Sequence, residues 1–143
     1  MIIRNLTAQD MQQLSFLYRT YWQEDSNIEK MTEVFEKIKD SPAYILLAAE
    51  ENGELLGSVM GIVCQELYGE CKPFLVVENL AVSPNARKKG VGKALMAEIE
   101  KKAKEQNCKQ IILVTESDRQ DAISFYPKIG FHPTANKGFK KKI

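Results

Sequence analysis

The sequence is poor in the residues on which metal centres and disulfide frameworks depend. It contains one histidine, His132, which excludes a site built from several histidines. Its three cysteines, Cys64, Cys71 and Cys108, are odd in number and show no Cys-x-x-Cys spacing. They therefore suggest neither a disulfide framework nor a zinc site. No motif supports a Ser-His-Asp triad, and we expect a protein without a bound metal.

The chain also lacks a strong charge of either sign and any long apolar run. Its 20 Lys and Arg residues against 19 Asp and Glu residues leave a formal net charge of +1. This balance argues against a protein that binds nucleic acid through a large positive field. No apolar run approaches transmembrane length, and residues 1–4 lack the layout of a signal peptide. We therefore expect a cytoplasmic protein with neither a nucleic-acid nor a membrane partner.

What the sequence does contain is an alternation of strand and helix patterns that fills a single domain, residues 1–143. Apolar and β-branched runs predict strands at 2–4, 44–49, 55–63, 74–82 and 110–115, with a closing hairpin within 131–143. Helical periodicity predicts helices that begin at Thr7, at Ser26, near Val91 and at Asp118 or Asp121. This order, β-α-α-β-β-β-α-β-α-β-β, predicts an α/β domain with a mixed central sheet flanked by helices.

Local signals set the ends of several elements. An Asn-Gly pair at residues 52–53 is a strong hairpin signal between two strands. Ser26 and Glu29 have the spacing of a capping box at the start of the second helix. Gly130 supplies the left-handed end of the last helix. Residues 111–114 form an unbroken apolar run, which is typical of a strand buried on both faces of a parallel sheet.

The chain is organised around a basic, glycine-containing loop that lies between a strand and a helix. The loop consists of Arg87, Lys88, Lys89, Gly90, Val91 and Gly92, and Lys93 follows it in the helix. Unpaired backbone N–H groups and the positive end of the helix dipole make a helix N-terminus an anion site. Glycines let a phosphate approach the backbone. The loop therefore predicts a phosphate or pyrophosphate site, and the alternative is a solvated helix start.

Two familiar phosphate loops do not match this segment. A Walker loop needs glycine at the place of Arg87 and Ser or Thr at the place of Ala94. The dinucleotide fingerprint needs a third glycine where Leu95 stands. The pattern that remains is Arg/Gln-x-x-Gly-x-Gly/Ala after a strand and at the opening of a helix. It resembles the acetyl-coenzyme A loop of the GNAT superfamily of N-acetyltransferases.

Three further segments are similar to GNAT motifs, in the same order along the chain. Residues 78–84 are similar to the family's fourth strand, residues 108–113 to its fifth, and residues 122–131 to the helix and turn that follow. The resemblance covers nearly the whole chain and is to a small, single-domain member of bacterial type. It implies the GNAT fold, acetyl-coenzyme A as acetyl donor, and N-acetyltransferase activity.

The resemblance also implies which residues hold the acetyl donor. In the family the loop backbone binds the pyrophosphate of coenzyme A, a role that falls here to residues 87–93. The pantetheine arm lies along the fourth strand, where Leu80, Ala81 and Val82 match. A bulge in that strand aims a backbone N–H at the thioester oxygen. The three side chains are also ordinary core residues, and the two roles are compatible.

Glu78 is the candidate general base, acting on the incoming amine directly or through water. A carboxylate within an apolar strand is costly unless it is paired or hydrated, which favours a position at a cleft. If simple alternation holds, Glu78, Leu80 and Val82 share one face, whereas a bulge changes this parity. The alternative is a solvated carboxylate at the sheet edge.

Tyr126 is the candidate general acid, because GNAT members often carry tyrosine at the matching position. A phenol, with a reference pKa of about 10, stays protonated at neutral pH and can protonate a departing thiolate. The alternative is an aromatic core residue next to Phe125. Pro127 departs from the family pattern and predicts a kink at Tyr126, since it removes a helical hydrogen bond.

The link between the first two helices carries the candidate acceptor-binding residues. Trp22, the single tryptophan, stands beside Glu24 and Asp25. One interpretation is a lid over a pocket for a cationic amine, and the other is a core tryptophan beside two solvated acids. The acids weakly favour a cationic acceptor such as a polyamine.

The sequence therefore predicts an acetyl-coenzyme A-dependent N-acetyltransferase that acetylates a primary amine of a small molecule by direct attack in a ternary complex. Two alternatives stay open. A peptide or protein acetyltransferase would share every donor-binding feature, and a non-catalytic acyl-coenzyme A sensor would bind the donor without turnover. Homodimers are common in the family, but no feature of this sequence indicates one.

Overall fold

The computed structural model describes all residues, 1–143, as two compact units, Met1–Ile112 and Leu113–Ile143, which are described separately here. The first unit contains β1 (Ile2–Asn5), α1 (Met11–Trp22), α2 (Ile28–Ile38), β2 (Tyr44–Glu51), β3 (Glu54–Cys64), β4 (Phe74–Val82), α3 (Val91–Glu105) and β5 (Ile111–Ile112). The second contains α4 (Gln120–Phe125) and a 3-10 turn, Tyr126–Ile129. Neither unit has a helix whose length and apolar character would let it cross a bilayer.

The strands form one mixed sheet in the order β1-β2-β3-β4-β5. The first four strands pair antiparallel, and β5 pairs parallel to β4. Residues 52–53 join β2 to β3, and both have positive φ, 54° at Asn52 and 80° at Gly53. Positive φ at both central residues is the geometry of a type I′ turn, which Asn-Gly favours. The α/β fold with a mixed sheet and the hairpin at residues 52–53 are thus confirmed.

One face of the sheet packs against α3. A Cβ at Gly57 would lie 2.9 Å from the Val91 side chain and 3.2 Å from that of Leu95, and one at Gly61 would lie 3.0 Å from Ile99. The two glycines therefore allow α3 to approach β3 more closely than any side chain would permit. This contact fixes the start of α3, and with it the basic loop, next to the sheet.

The opposite face packs against α1 and α2. Its core is formed by Leu6, Met11, Leu14, Leu17, Phe35, Ala48, Leu55 and Ala81. The residues of α1 in this core, Met11, Leu14 and Leu17, have the spacing of an amphipathic stripe. Ser58, the cross-strand partner of Ala81, lies on the same face, because paired residues of adjacent strands project to one side.

An ionic network around the buried Asp10 fixes the start of α1. Arg4 donates two hydrogen bonds of 2.7 Å to the Asp10 carboxylate and one of 2.7 Å to Glu50. The Thr7 backbone N–H also donates to Asp10, at 2.7 Å, within a capping box. Burial by itself would raise the pKa of Asp10, but the hydrogen bonds from Arg4 and Thr7 outweigh it and lower that pKa. The helical segment begins after Thr7, as predicted.

Three predicted details are wrong. The cap of α2 is Asn27, whose Oδ1 accepts from the Lys30 N–H at 3.0 Å, rather than Ser26. Asparagine is as favourable an N-cap residue as serine, so the Ser-x-x-Glu spacing alone could not show which of the two neighbouring residues caps α2. The run 111–114 is not buried on both faces: Ile112 is 39% exposed and Val114 61%. The strand there is only two residues long and is the last in the sheet, so no further strand covers its outer edge.

The third error is the closing hairpin within 131–143, because the structure has no strand there. The segment lacks alternating apolar residues, and its Phe139 is 91% exposed. His132 Nδ1 instead accepts hydrogen bonds from the backbone N–H groups of Thr134 (3.3 Å) and Ala135 (3.0 Å). Such local side-chain-to-backbone bonds form a turn and compete with strand pairing.

Candidate active site

The site is organised by a β-bulge that directly follows Glu78. Glu78 pairs with Met60 across the β3–β4 ladder, and Ala81 pairs with Ser58. Residues 79 and 80 of β4 therefore stand opposite the single residue 59 of β3. The first of the two, Asn79, has φ of 54°. Asparagine tolerates this left-handed conformation better than most residues. The β4 bulge, residues 79–80, is therefore encoded locally in the sequence.

The bulge changes which side chains share a face with Glu78. Met60 and Ser58 are two residues apart on β3 and point to the same side, so their partners Glu78 and Ala81 do as well. Simple alternation would have placed Leu80 beside Glu78 and sent Ala81 to the α3 face. Glu78 is exposed, Leu80 and Val82 are half-buried, and Ala81 is completely buried. Glu78 thus lies at the solvent-accessible part of the face that α1 and α2 cover.

The basic loop leads into the N-terminus of α3. Gly90 caps the helix with φ of 80°, and no side chain takes part in the cap. The backbone N–H groups of residues 90–93 donate to no backbone carbonyl. A Cβ added at Gly90 would meet no atom within 4 Å, so the space in front of this backbone is open. Four unpaired donors at the positive end of a 15-residue helix form an anion site.

The side chains of the loop separate into cations and an anchor. Arg87, Lys88, Lys89 and Lys93 are all exposed, whereas Val91 is 1% exposed and packs at Gly57. Lys88 has φ of 64°, a conformation that is strained for lysine. Such a strained residue next to an open helix N-terminus is typical of a ligand-binding loop. The residues predicted to hold the donor's phosphates are thus brought together around one group of backbone donors.

An aromatic cluster links this loop to the end of α1, a feature that sequence reasoning missed. The Arg87 guanidinium lies 6.0 Å from the centre of the Tyr21 ring. Trp22 packs edge-on against Tyr18 and Tyr21, with ring centres 5.0 and 4.9 Å away. Tyr18 and Tyr21 are three residues apart on one helix face, and helical periodicity by itself predicts only core positions for them. Their contact with Arg87 is a long-range one that periodicity does not reveal.

The predicted acceptor residues lie in the link that follows α1. Gln23 ends the helix with φ of 60°, and Trp22 is 38% exposed, so it is not a fully buried core residue. Glu24 and Asp25 are exposed. Asp25 forms an ion pair of 3.5 Å with Arg19, in which both side chains are largely exposed. The negative charge near Trp22 is thus partly compensated by Arg19.

Tyr126 belongs to the second unit and is described there. Helix α4 ends at Phe125, and Tyr126 begins the 3-10 turn that contains Pro127. Pro127 predicted a kink at Tyr126; the chain instead changes there from an α-helix to a 3-10 turn. The half-buried Tyr126 ring packs edge-on against Phe125 (5.3 Å) and Phe131 (5.6 Å). Gly130 ends the turn with φ of 98°, the left-handed end that the sequence predicts.

The arrangement favours chemistry on a phosphorylated carrier next to a carboxylate. No group of three or more His, Cys, Asp or Glu residues is placed to hold a metal ion. The first unit combines three features: the N-terminus of α3, which can bind an anion, the bulge at residues 79–80 of β4, and the exposed carboxylate of Glu78 directly before that bulge.

Comparison with known proteins places these features in a family. The family model "Acetyltransferase (GNAT) family" matches residues 11–131. The uncharacterized protein YdhI of Bacillus subtilis (strain 168) is 32% identical over 84 residues, which are 59% of this chain. That match spans only 47% of YdhI, about half of its length.

Solved structures show the same fold over the whole chain. A protein of Agrobacterium tumefaciens str. C58 has a TM-score of 0.91 at 21% identity, with 100% of both chains covered. The glucosamine-6-phosphate N-acetyltransferase of Arabidopsis thaliana has a TM-score of 0.81 at 19% identity, with 99% of this chain and 96% of that chain covered. The match of the family model to most of the chain is decisive: this protein belongs to the GNAT family of acetyltransferases.

Proposed function

We propose that the protein transfers the acetyl group of acetyl-coenzyme A to a primary amine of a small molecule, by direct attack within a ternary complex. The observation that carries this proposal is the bulge at residues 79–80, which directly follows the exposed carboxylate of Glu78. A bulge interrupts the β4 ladder and makes a backbone group available to a bound thioester. Its position one residue after an acid supports acetyl transfer rather than donor binding alone.

The donor's phosphates fit the start of α3. The N–H groups of residues 90–93 point out of the helix without backbone partners, and the open space at Gly90 admits a phosphate oxygen. Arg87, Lys88, Lys89 and Lys93 add positive charge around these donors. The pantetheine arm would then lie along Leu80, Ala81 and Val82, bonded to the backbone as an added strand.

Glu78 would remove the proton that the amine must lose before it attacks. The ammonium passes one proton to the carboxylate directly or through one water, and the neutral nitrogen then forms a bond to the thioester carbonyl carbon. The second proton, which the nitrogen must lose to become an amide nitrogen, passes to solvent as the intermediate collapses. A backbone N–H at the bulge would stabilise the negative charge that develops on the carbonyl oxygen. The carbon–sulfur bond then breaks and releases coenzyme A as a thiolate.

Tyr126 would supply the proton that the departing thiolate takes up. The phenol is held between Phe125 and Phe131, which limits the directions in which its hydroxyl can point. Trp22, Glu24 and Asp25 would flank the entrance for the amine, where exposed carboxylates attract an ammonium group. The Arabidopsis neighbour is named for transfer to an amino sugar phosphate, which supports a small amine as the acceptor.

The test is thermal unfolding with and without acetyl-coenzyme A, followed by a thiol-release assay with a panel of amines. A ligand at 100 times its Kd stabilises the native state by about 2.7 kcal/mol. We expect a higher unfolding midpoint with the donor and amine-dependent thiol release. A shift without release to any small amine would favour a peptide acceptor or a sensor, and no shift would contradict donor binding.

A further inference from the structure

A cavity of about 360 Å³ lies between α1, α2 and the sheet, on the face that carries Glu78. It is lined by residues that include Met11, Tyr18, Met31, Phe35, Leu46 and Met60. Its volume is within the range of small-molecule sites, which are typically apolar with a few placed polar groups. The three methionines, with flexible side chains, are suited to an irregular apolar ligand.

The cavity reaches the candidate base through the strand register. Met60 lines the cavity and stands directly opposite Glu78 in the β3–β4 pair. Directly opposed residues have Cβ atoms about 4.5–5.5 Å apart and project to the same face. A molecule that fills the cavity and extends past Met60 therefore meets the Glu78 carboxylate next.

An unpartnered polar atom marks the floor of the cavity. Ser58 lines it, is 1% exposed, and its Oγ makes no hydrogen bond. The Tyr18 hydroxyl is close enough to Ser58 to lower the pKa of the phenol, but it does not reach standard hydrogen-bond geometry with Oγ. Burial is the larger effect and raises the pKa of Tyr18 to about 12, so the phenol stays neutral. A buried hydroxyl without a partner is costly, and a ligand group can supply the missing bond.

The charges around the cavity select against a polycation. Its lining contains Lys30 and no Asp or Glu. A second ammonium group in the cavity would therefore lose its hydration without meeting a counter-ion. The exposed acids Glu24 and Asp25 lie outside this lining and supply no counter-ion within the cavity.

We infer that the acceptor is a primary monoamine with an apolar substituent that fills this cavity and carries one hydroxyl or carbonyl group bonded to Ser58 Oγ. The inference rests on the acetyltransferase function proposed above and narrows its substrate class. In this arrangement the substituent is held between the two helices and the sheet, and the amine reaches Glu78 beside Met60. A polyamine has no place for its second charge.

The first experiment compares kcat/KM for thiol release with ethylamine, 2-phenylethylamine, the hydroxylated analogues of 2-phenylethylamine, and spermidine. Burial of the ring should raise kcat/KM for 2-phenylethylamine by about tenfold or more over ethylamine. At least one hydroxylated analogue should exceed 2-phenylethylamine, and spermidine should resemble ethylamine. A kcat/KM for spermidine equal to or higher than that for 2-phenylethylamine would overturn the inference while leaving the acetyltransferase function in place.

The second experiment fills the cavity from α2. Met31→Trp should lower the ratio of kcat/KM for 2-phenylethylamine to kcat/KM for ethylamine by about tenfold or more, without weakening the affinity for acetyl-coenzyme A. Glu33→Trp is the matched control, because Glu33 is exposed on the same helix and does not line the cavity. Equal loss for both amines in Met31→Trp, or the same loss in Glu33→Trp, would contradict the cavity as the site.

The third experiment removes the unpartnered hydroxyl. Ser58→Ala should raise the melting temperature of the free protein and lower kcat/KM for the best hydroxylated analogue about tenfold, with little effect on 2-phenylethylamine. An equal effect on both amines would overturn the role of Ser58.

Direct binding separates the inference from the proposed function. If no amine releases thiol, the acetyltransferase proposal fails, and calorimetry of 2-phenylethylamine with the wild type and Met31→Trp still decides on the cavity. Binding of 2-phenylethylamine to the wild type but not to Met31→Trp would support the cavity as an amine site. No binding to the wild type would overturn it.

Discussion

Met60 and Glu78 stand directly opposite each other in the antiparallel β3–β4 pair, and the next residue of β4, Asn79, opens the bulge. Glu78 is the only acidic residue of β4, and this pairing places its side chain on the sheet face that α1 and α2 cover. The extra residue returns Ala81 to that same face, where it joins the core. The bulge therefore serves both the packing of the sheet and the geometry of the site.

The bulge predicts opposite outcomes for two substitutions of Asn79. Glycine accepts the φ of 54° without strain, so Asn79→Gly should retain fold and turnover. A β-branched residue resists this conformation, so Asn79→Val should cost about 1–3 kcal/mol of stability and lower kcat if the bulge shifts. Urea unfolding and steady-state kinetics measure the two effects. Equal behaviour of the two variants would contradict a functional bulge.

The anion site predicts a separation of stability from donor affinity at two glycines. Gly90 and Gly53 both have φ of 80° and both have open space where a Cβ would stand. Alanine at either position should therefore cost a similar amount, about 1–2 kcal/mol. Only Gly90→Ala should also raise the Kd for acetyl-coenzyme A, because its methyl group projects into the space proposed for a phosphate. Calorimetry tests this, and equal affinity in the two variants would contradict the phosphate site.

The ionic network around the buried Asp10 predicts acid sensitivity. Hydrogen bonds lower the pKa of Asp10, so its carboxylate stabilises the fold above its unfolded pKa of about 3.9. This stabilisation should be lost as the pH falls through the lower, folded-state pKa. Arg4→Met, which leaves Asp10 buried without its cation, should cost about 2–3 kcal/mol at pH 7.

The pH dependence of that variant provides the control. The stability difference between the wild type and Arg4→Met should shrink as the pH falls below the unfolded pKa of about 3.9 and through the lowered, folded-state pKa of Asp10. Adding Asp10→Asn to Arg4→Met should recover part of the loss at pH 7, because the unpaired charge is gone. Urea unfolding across pH 3–7 follows both effects. A pH-independent difference would show that Arg4 acts through packing alone.

The candidate acid predicts a leaving-group effect. Tyr126→Phe keeps the ring between Phe125 and Phe131 but removes the proton donor, so stability should change little. Loss of general acid catalysis should lower kcat by about 10²-fold or more. Donors with a more acidic thiol should restore part of the rate, since their thiolate needs less protonation. Unchanged kcat would contradict the acid role.

Local signals in the sequence predicted much of this structure. The Asn-Gly turn, the left-handed end at Gly130 and the end of α4 before Pro127 follow from the backbone preferences of single residues. The glycines before α3 likewise indicated an open helix start. The burial of 111–114 and the hairpin within 131–143 were wrong, because both depend on neighbours that the segment itself does not encode.

The long-range contacts of the site could not be predicted from the sequence, because they too depend on residues that are distant in the chain. Periodicity placed Tyr21 on the core face of α1, but its contact with Arg87 joins segments far apart in the chain. No sequence pattern singles out Ser58, and only the packing of α1 and α2 over β3 shows that it lines a cavity while its Oγ makes no hydrogen bond.

The measurement that tests the account most directly is the pH dependence of kcat/KM for the wild type and Glu78→Gln with the best amine. If Glu78 is the base, the glutamine variant should lose about 10²–10⁴-fold at neutral pH while keeping its affinity for acetyl-coenzyme A. Part of this loss should be recovered at high pH, where the amine itself is deprotonated. Full activity of Glu78→Gln across the pH range would contradict the proposed mechanism.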